Sequence, residues 1–287
     1  MDDTLLPLFS TILLLFASAA LFFSRNMAFL FGVMTIACSF ASGIISAIGL
    51  AVIGILGLLL YVHTRVQKPS LKSFLAGLLL LACVLLAAHL LPGFNNPQWL
   101  KEEFKSESSL AFSMYLNFDK ALILFILAGL YPFLFDKQVS VSNETLGISP
   151  RSKLILILLF GSIFPLAMTL ELIELEMGLP SWWWLFALNN LLITCTVEEA
   201  FFRGALQGQV LNRFGAVSAL LISSVLFGAA HFAGGLEYVL VATIAGCGYG
   251  YVYASTGRLS LAVLSHFAVN FIHLAFFTYP KLAPIDL

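Results

Sequence analysis

The sequence predicts an all-α, polytopic bundle of about ten membrane-crossing helices. Three observations carry that reading. Of 287 residues, 60% are hydrophobic and 10% are charged, whereas soluble domains carry roughly a quarter charged residues. Mean hydropathy is +0.99. The third observation is the recurrence of apolar runs near the roughly 20 residues that a span requires. They lie at 5–23, 27–45, 47–63, 71–91, 119–135, 153–174, 183–208, 215–231, 236–255 and 259–277.

The first run follows Asp2 and Asp3. A cleaved signal peptide has a positive start, so residues 1–23 are expected to be a retained span. Residues 27–62 hold no charge, and a turn near Gly43–Gly49 is expected to divide them into two spans. The polar stretch 93–118 is expected to be a solvated helix lying on the surface; a gating loop is the alternative. Lys and Arg gather at 63–72, at 136–153, at Arg213 and at Arg258, which places these loops on the cytoplasmic side. Trp182, Trp183 and Trp184 then fall at the opposite interface, where aromatic belts form. Net charge is −1, so no basic field points to nucleic acid. Cys38, Cys83, Cys195 and Cys247 lie in apolar runs without a CxxC pair, as packing residues do.

The informative segment begins at Asn189. Its apolar run holds Glu198, Glu199 and Arg203, and an ionisable group in mid-span costs roughly 2.5–3.5 kcal/mol on insertion scales. At 3.6 residues per turn, Glu199 and Arg203 share a face and can pair. Glu198 points about 100° away, on the stripe of Asn190 and Thr194. One carboxylate is thereby neutralised and the other is left for chemistry. Phe227 and His231 share a face at i,i+4, as do His266 and Asn270, and His273 can join the latter. Three helices bearing Glu, His, His and Asn can enclose one polar cavity. In such a cavity a Glu and a His can share the proton work of a water. A second His and an Asn can hold an oxyanion. No GxSxG elbow and no HExxH helix occurs. Cys195, one turn before Glu198, is a weak candidate nucleophile.

These residues resemble a family. EEAFFR at 198–203 resembles the EExxxR motif of the CPBP (CAAX protease and bacteriocin-processing, or Abi) family, which includes Rce1-type endopeptidases. FGAAH at 227–231 is similar to its FxxxH motif, and HFAVN at 266–270 to its HxxxN motif. The resemblance covers about 146–277. It divides the chain into 1–120, a transmembrane region without a recognised motif, and 121–287, an intramembrane protease core. It implies a glutamate-type peptide hydrolase in which Glu198 activates water with help from His231. His266 and Asn270 would form the oxyanion hole, with Glu199 and Arg203 in support. No cofactor and no metal is implied. The expected partners are a peptide or protein substrate at the membrane and the lipid bilayer, and the expected location is a prokaryotic cell membrane. Two other readings stay open: a zinc protease using the same Glu and His side chains, and a non-enzymatic scaffold, immunity protein or proton-coupled transporter.

Overall fold

The computed structural model describes residues 5–136 and 149–283, and it is mostly helical. It divides into two compact units: Met1–Trp99 with Tyr115–Phe135, and Leu100–Met114 with Asp136–Leu287. The boundary read from sequence at residue 120 falls inside a helix of the first unit, Phe118–Leu130.

The first unit contains α1 (Leu5–Ala20), α2 (Arg25–Ala41), α3 (Ala47–Arg65), α4 (Pro69–Ala87) and α5 (Phe118–Leu130). Serines start two of them: Ser24 Oγ accepts from Met27 N and Ser46 Oγ from Gly49 N, which satisfies N–H groups that no helical carbonyl reaches. The turn between α2 and α3 contains Gly43 at φ +76, where the sequence places it. Buried Asp119 starts α5, accepting from Asn96 Nδ2 at 2.8 Å and lying 2.6 Å from His89 Nδ1.

The second unit carries α6 (Pro150–Thr169), α7 (Trp183–Asn189), α8 (Thr196–Glu199), α9 (Gly208–Ala229), α10 (Leu236–Thr256) and α11 (Leu259–Phe276). Two π-helical segments, Asn190–Cys195 and Ala200–Gln207, flank α8. A two-stranded sheet of β1 (Gln98–Glu103) and β2 (Phe112–Tyr115) precedes α5.

Several expectations need correction. The chain is a multi-pass membrane protein, but among the described residues five continuous segments are long and apolar enough to cross: α3, α4, α6, α11 and Trp183–Ala229, the last of which is bent into two arms. Helices α1 and α2, of 16 and 17 residues, fall short of the usual length. Helix α5 has 13 residues and rises only about 20 Å, against a hydrocarbon core of about 30 Å. Nor is the fold purely α. The stretch 93–118 forms the β1–β2 hairpin rather than a surface helix. Its tip is held by tertiary bonds that a solvated helix could not make: Lys105 Nζ donates to the carbonyls of Glu176 at 2.7 Å and Phe277 at 2.6 Å, and Ser106 Oγ donates to Glu176 Oε2 at 2.5 Å. Burial pulls the Lys105 ammonium below the usual lysine range, and Glu176 beside it partly reverses this. Trp182 is buried and stacks on Phe112 at 5.2 Å, so only Trp183 and Trp184 are exposed as a belt would be.

The stack Trp183–Ala229 is a folded hairpin. A straight helix separates Arg203 from Ser223 by about 30 Å, yet Arg203 Nη1 lies 3.4 Å from Ser223 Oγ. The chain reverses at Gly215, whose φ of 78° and ψ of 174° are non-helical. Pairing is symmetric about that residue. Ser223 Oγ donates to Gln207 Oε1 at 3.2 Å, eight residues on either side. The Arg203 guanidinium lies 5.1 Å from the Phe227 ring, twelve on either side. Glu199 and His231, sixteen on either side, thus stand at one level. A second hairpin, α10–α11, turns at Gly257 with φ +64.

The Gly215 backbone belongs to a region that essentially only glycine adopts, at a cost of about 1–3 kcal/mol for other residues. Gly215→Ala should lower stability by that amount in detergent thermal unfolding. Gly208→Ala, in ordinary helical backbone with open space around its Cβ position, should be neutral or slightly stabilising.

Candidate active site

The site is built on the segment that winds most irregularly. Cys195 Sγ donates to Asn190 Oδ1 at 3.1 Å, and Thr196 Oγ1 to the Leu191 carbonyl at 2.7 Å, each across five residues. This is π-helical spacing, which occurs mostly as short bulges and often at functional sites. The 3.6-residue reading aligned Asn190 with Thr194 and Glu198. Wider winding instead sets Asn190 against Cys195.

Glu199 is the centre of the polar cluster. It and Arg203 are fully buried. Arg203 Nε donates to Glu199 Oε2 at 2.8 Å, four residues apart as the sequence predicts. The second oxygen, Oε1, lies 2.9 Å from His266 Nδ1. A carboxylate only accepts, so Nδ1 carries the proton in this bond. The His266 ring is fixed further by stacking on Tyr249, with centroids 4.5 Å apart and planes at 13°. Phe227 meets it edge-on at 5.5 Å.

His231 ends the α9 arm. Its Nδ1 lies 2.8 Å from the Phe227 carbonyl, which again can only accept. Nδ1 is therefore the donor, and in the neutral ring Nε2 keeps its lone pair. Phe227 packs against this ring at 4.7 Å. One phenyl ring thus touches Arg203, His231 and His266, which explains a phenylalanine four residues before the histidine. Asn270 Nδ2 donates to Asn190 Oδ1 at 3.2 Å and more weakly to Cys195 Sγ at 3.6 Å. Glu198 is half-buried.

A cavity of about 70 Å³ has His231, His266, Asn270 and His273 on its wall. His273 Nε2 lies 3.1 Å from the Thr278 carbonyl, so this histidine is tied to the segment after α11. Glu198, Glu199, Arg203, His231, His266 and Asn270 lie in the two hairpins and the π-wound segment leading into them. Phe227 links Arg203, His231 and His266, and Glu199 binds two of those three directly. The sequence did not disclose the Glu199–His266 bond, the Tyr249 stack or the Asn190–Asn270 bond. Each joins two different helices, and periodicity within a helix carries no signal for it. Among the described residues, no three His, Cys, Asp or Glu side chains group so as to hold a metal ion.

Residues 180–272, about a third of the chain, match the family model described as Type II CAAX prenyl endopeptidase Rce1-like. The matched stretch contains Glu198, Glu199, Arg203, His231, His266 and Asn270. That family is one of peptide hydrolases. No curated protein and no solved structure matches the chain.

Removing one partner of a buried ion pair strands the other, at a cost of about 3–5 kcal/mol. Arg203→Met and Glu199→Ala should each lower detergent thermal stability by that order, and far more than Glu198→Gln does. The double variant Glu199→Gln/Arg203→Met should recover part of the loss. Additive losses in that cycle would show that the two side chains do not support each other.

Proposed function

Starting from an Rce1-like domain at residues 180–272, we propose that the chain is a glutamate-type intramembrane endopeptidase in which Glu198 activates water. The observation that carries this assignment is the commitment of Glu199. Both of its oxygens are engaged, one by Arg203 and one by His266, so the proton-accepting role falls to the neighbouring, half-buried Glu198. His231 stands at the same level of the hairpin, with Nε2 as its acceptor atom.

These placements support the following reaction. A water between Glu198 and His231 Nε2 attacks the scissile carbonyl and gives a proton to Glu198. A C–O bond forms and the carbonyl oxygen takes up negative charge. His266 Nε2–H and Asn270 Nδ2–H hold that oxyanion. For Nε2 to donate, His266 must carry a second proton, and Glu199 balances the resulting imidazolium. Asn270 exchanges its long contact to Cys195 for the stronger acceptor. The C–N bond then breaks, and the proton on Glu198 passes to the leaving amine. Arg203 keeps Glu199 ionised and fixed. The substrate is a peptide or protein at the bilayer, and the protease core lies in the second unit, around the matched residues 180–272.

Glu198→Gln should lower turnover by about 10²–10⁴-fold without loss of folding or membrane insertion. Asn270→Ala should lower kcat by about 10²–10³-fold. The assay compares membrane proteomes of cells expressing each variant, reading accumulation of uncut precursors. Full processing by Glu198→Gln would remove Glu198 from the mechanism. A strong chelator should leave activity unchanged, because the barrier to water attack is lowered by a base. Loss on chelation with recovery on adding zinc, together with one zinc per chain, would recast these residues as ligands.

A further inference from the structure

One charged group at the site has no part in the steps above. Lys281 lies on the wall of the cavity that holds His231, His266 and Asn270. We infer that its ammonium is the substrate-recognition group of the site and takes a carboxylate of the peptide; this rests on the protease reading.

The backbone presents Lys281 firmly. Its carbonyl accepts from Leu110 N at 2.9 Å, and its neighbours Leu282 and Ala283 donate to Leu172 O at 2.9 Å and Ser108 O at 2.8 Å. Tyr279 N donates to Ser109 Oγ at 3.0 Å. A side chain on so constrained a ribbon has a fixed starting point, as a recognition group requires. From there the ammonium donates to the carbonyl of Gly234, three residues beyond His231. It lies 5.2 Å from the centroid of the Tyr238 ring, and that ring is 5.8 Å from the ring of His231.

These contacts hold the cation without neutralising it. A lysine ammonium has three donors, and a carbonyl and a ring face supply partial charge alone. Among the described residues, no carboxylate forms an ion pair with Lys281. No acidic side chain lies on the cavity wall, which is otherwise largely aromatic and aliphatic. A carboxylate entering that space meets charge-assisted donors, roughly twice as strong as neutral ones, in surroundings that screen little. A peptide amide gains much less. A purely structural lysine would pin the C-terminal segment to the turn after His231 equally well. The two roles differ in what a peptide's charge does to its cleavage.

The experiment uses the full chain in nanodiscs and two synthetic peptide libraries. One contains Asp and Glu and ends in an amide. The other lacks acidic residues and ends in a free carboxylate. Cuts are identified by mass spectrometry, and cuts that persist in Glu198→Gln are discarded. Wild type should favour peptides with a carboxylate at a fixed distance from the scissile bond; the library that shows the preference tells whether a side chain or a chain end is bound. Lys281→Met should reduce that preference by about tenfold or more relative to neutral peptides, and Lys281→Arg should retain most of it. Equal preference in wild type and Lys281→Met, or none in wild type, overturns the inference. So does an equal loss on all peptides in Lys281→Met together with a lower unfolding temperature, since that is the structural role. The absence of any cut dependent on Glu198 would instead sink the protease reading, and the recognition role with it.

Discussion

A single buried carboxylate organises the second unit. Glu199 has no exposure to solvent, and an ion there is tolerable only with partners. Arg203 supplies the charge from the same helix. His266 supplies a proton from α11, 67 residues away. The requirement to satisfy one anion therefore joins the π-wound segment to α11. The guanidinium is in turn braced by Ser223 and by the face of Phe227, which brings in α9. Three helices acquire a fixed register from one side chain.

The backbone makes that arrangement possible through two glycine turns. Reversal at Gly215 sets residues equidistant from it side by side, and His231 is thereby delivered to the level of Glu199. Close packing keeps the register. The Cβ position of Gly228 would meet Thr243 and the Val239 carbonyl on α10, and that of Gly250 would meet Leu220 and Gln207. Local π winding adds the last adjustment, turning Asn190 toward Cys195 and Asn270. Irregular winding costs hydrogen-bond quality, and here it occurs on both sides of the two adjacent glutamates.

Much of this was legible in the sequence, and the boundary of what was legible is physical. The Glu199–Arg203 pair is a four-residue helical contact, so spacing discloses it. Expense in the membrane singles out Glu198, Glu199, Arg203 and the histidines. The bond from Glu199 to His266 depends on how two helices meet, which periodicity does not encode. The level of His231 depends on which residue between the runs 183–208 and 215–231 makes the turn, and the runs alone do not fix that; a shift of one helical turn moves a residue about 5 Å. The hairpin 98–115 is not legible because its mixture of charged and apolar residues lacks the strict alternation of a strand and suits an exposed helix as well. What decides is Lys105, whose partners lie on 176 and 277. Asp119 shows a different limit: it sits inside an apolar run, and its ties to Asn96 and His89 come from a loop and a helix end.

The division of labour between the two glutamates predicts a specific set of proton positions, and nitrogen NMR of histidine-labelled protein in nanodiscs reads them directly. In wild type, His231 should be the tautomer protonated at Nδ1, with an unprotonated Nε2. His266 should carry a proton on Nδ1 in a hydrogen bond to a carboxylate, and that signal should shift in Glu199→Gln and stay in place in Glu198→Gln. A His231 protonated at Nε2 alone would present no lone pair to a water. A His266 signal that follows Glu198 rather than Glu199 would reverse the roles of the two carboxylates. Either result would contradict the account.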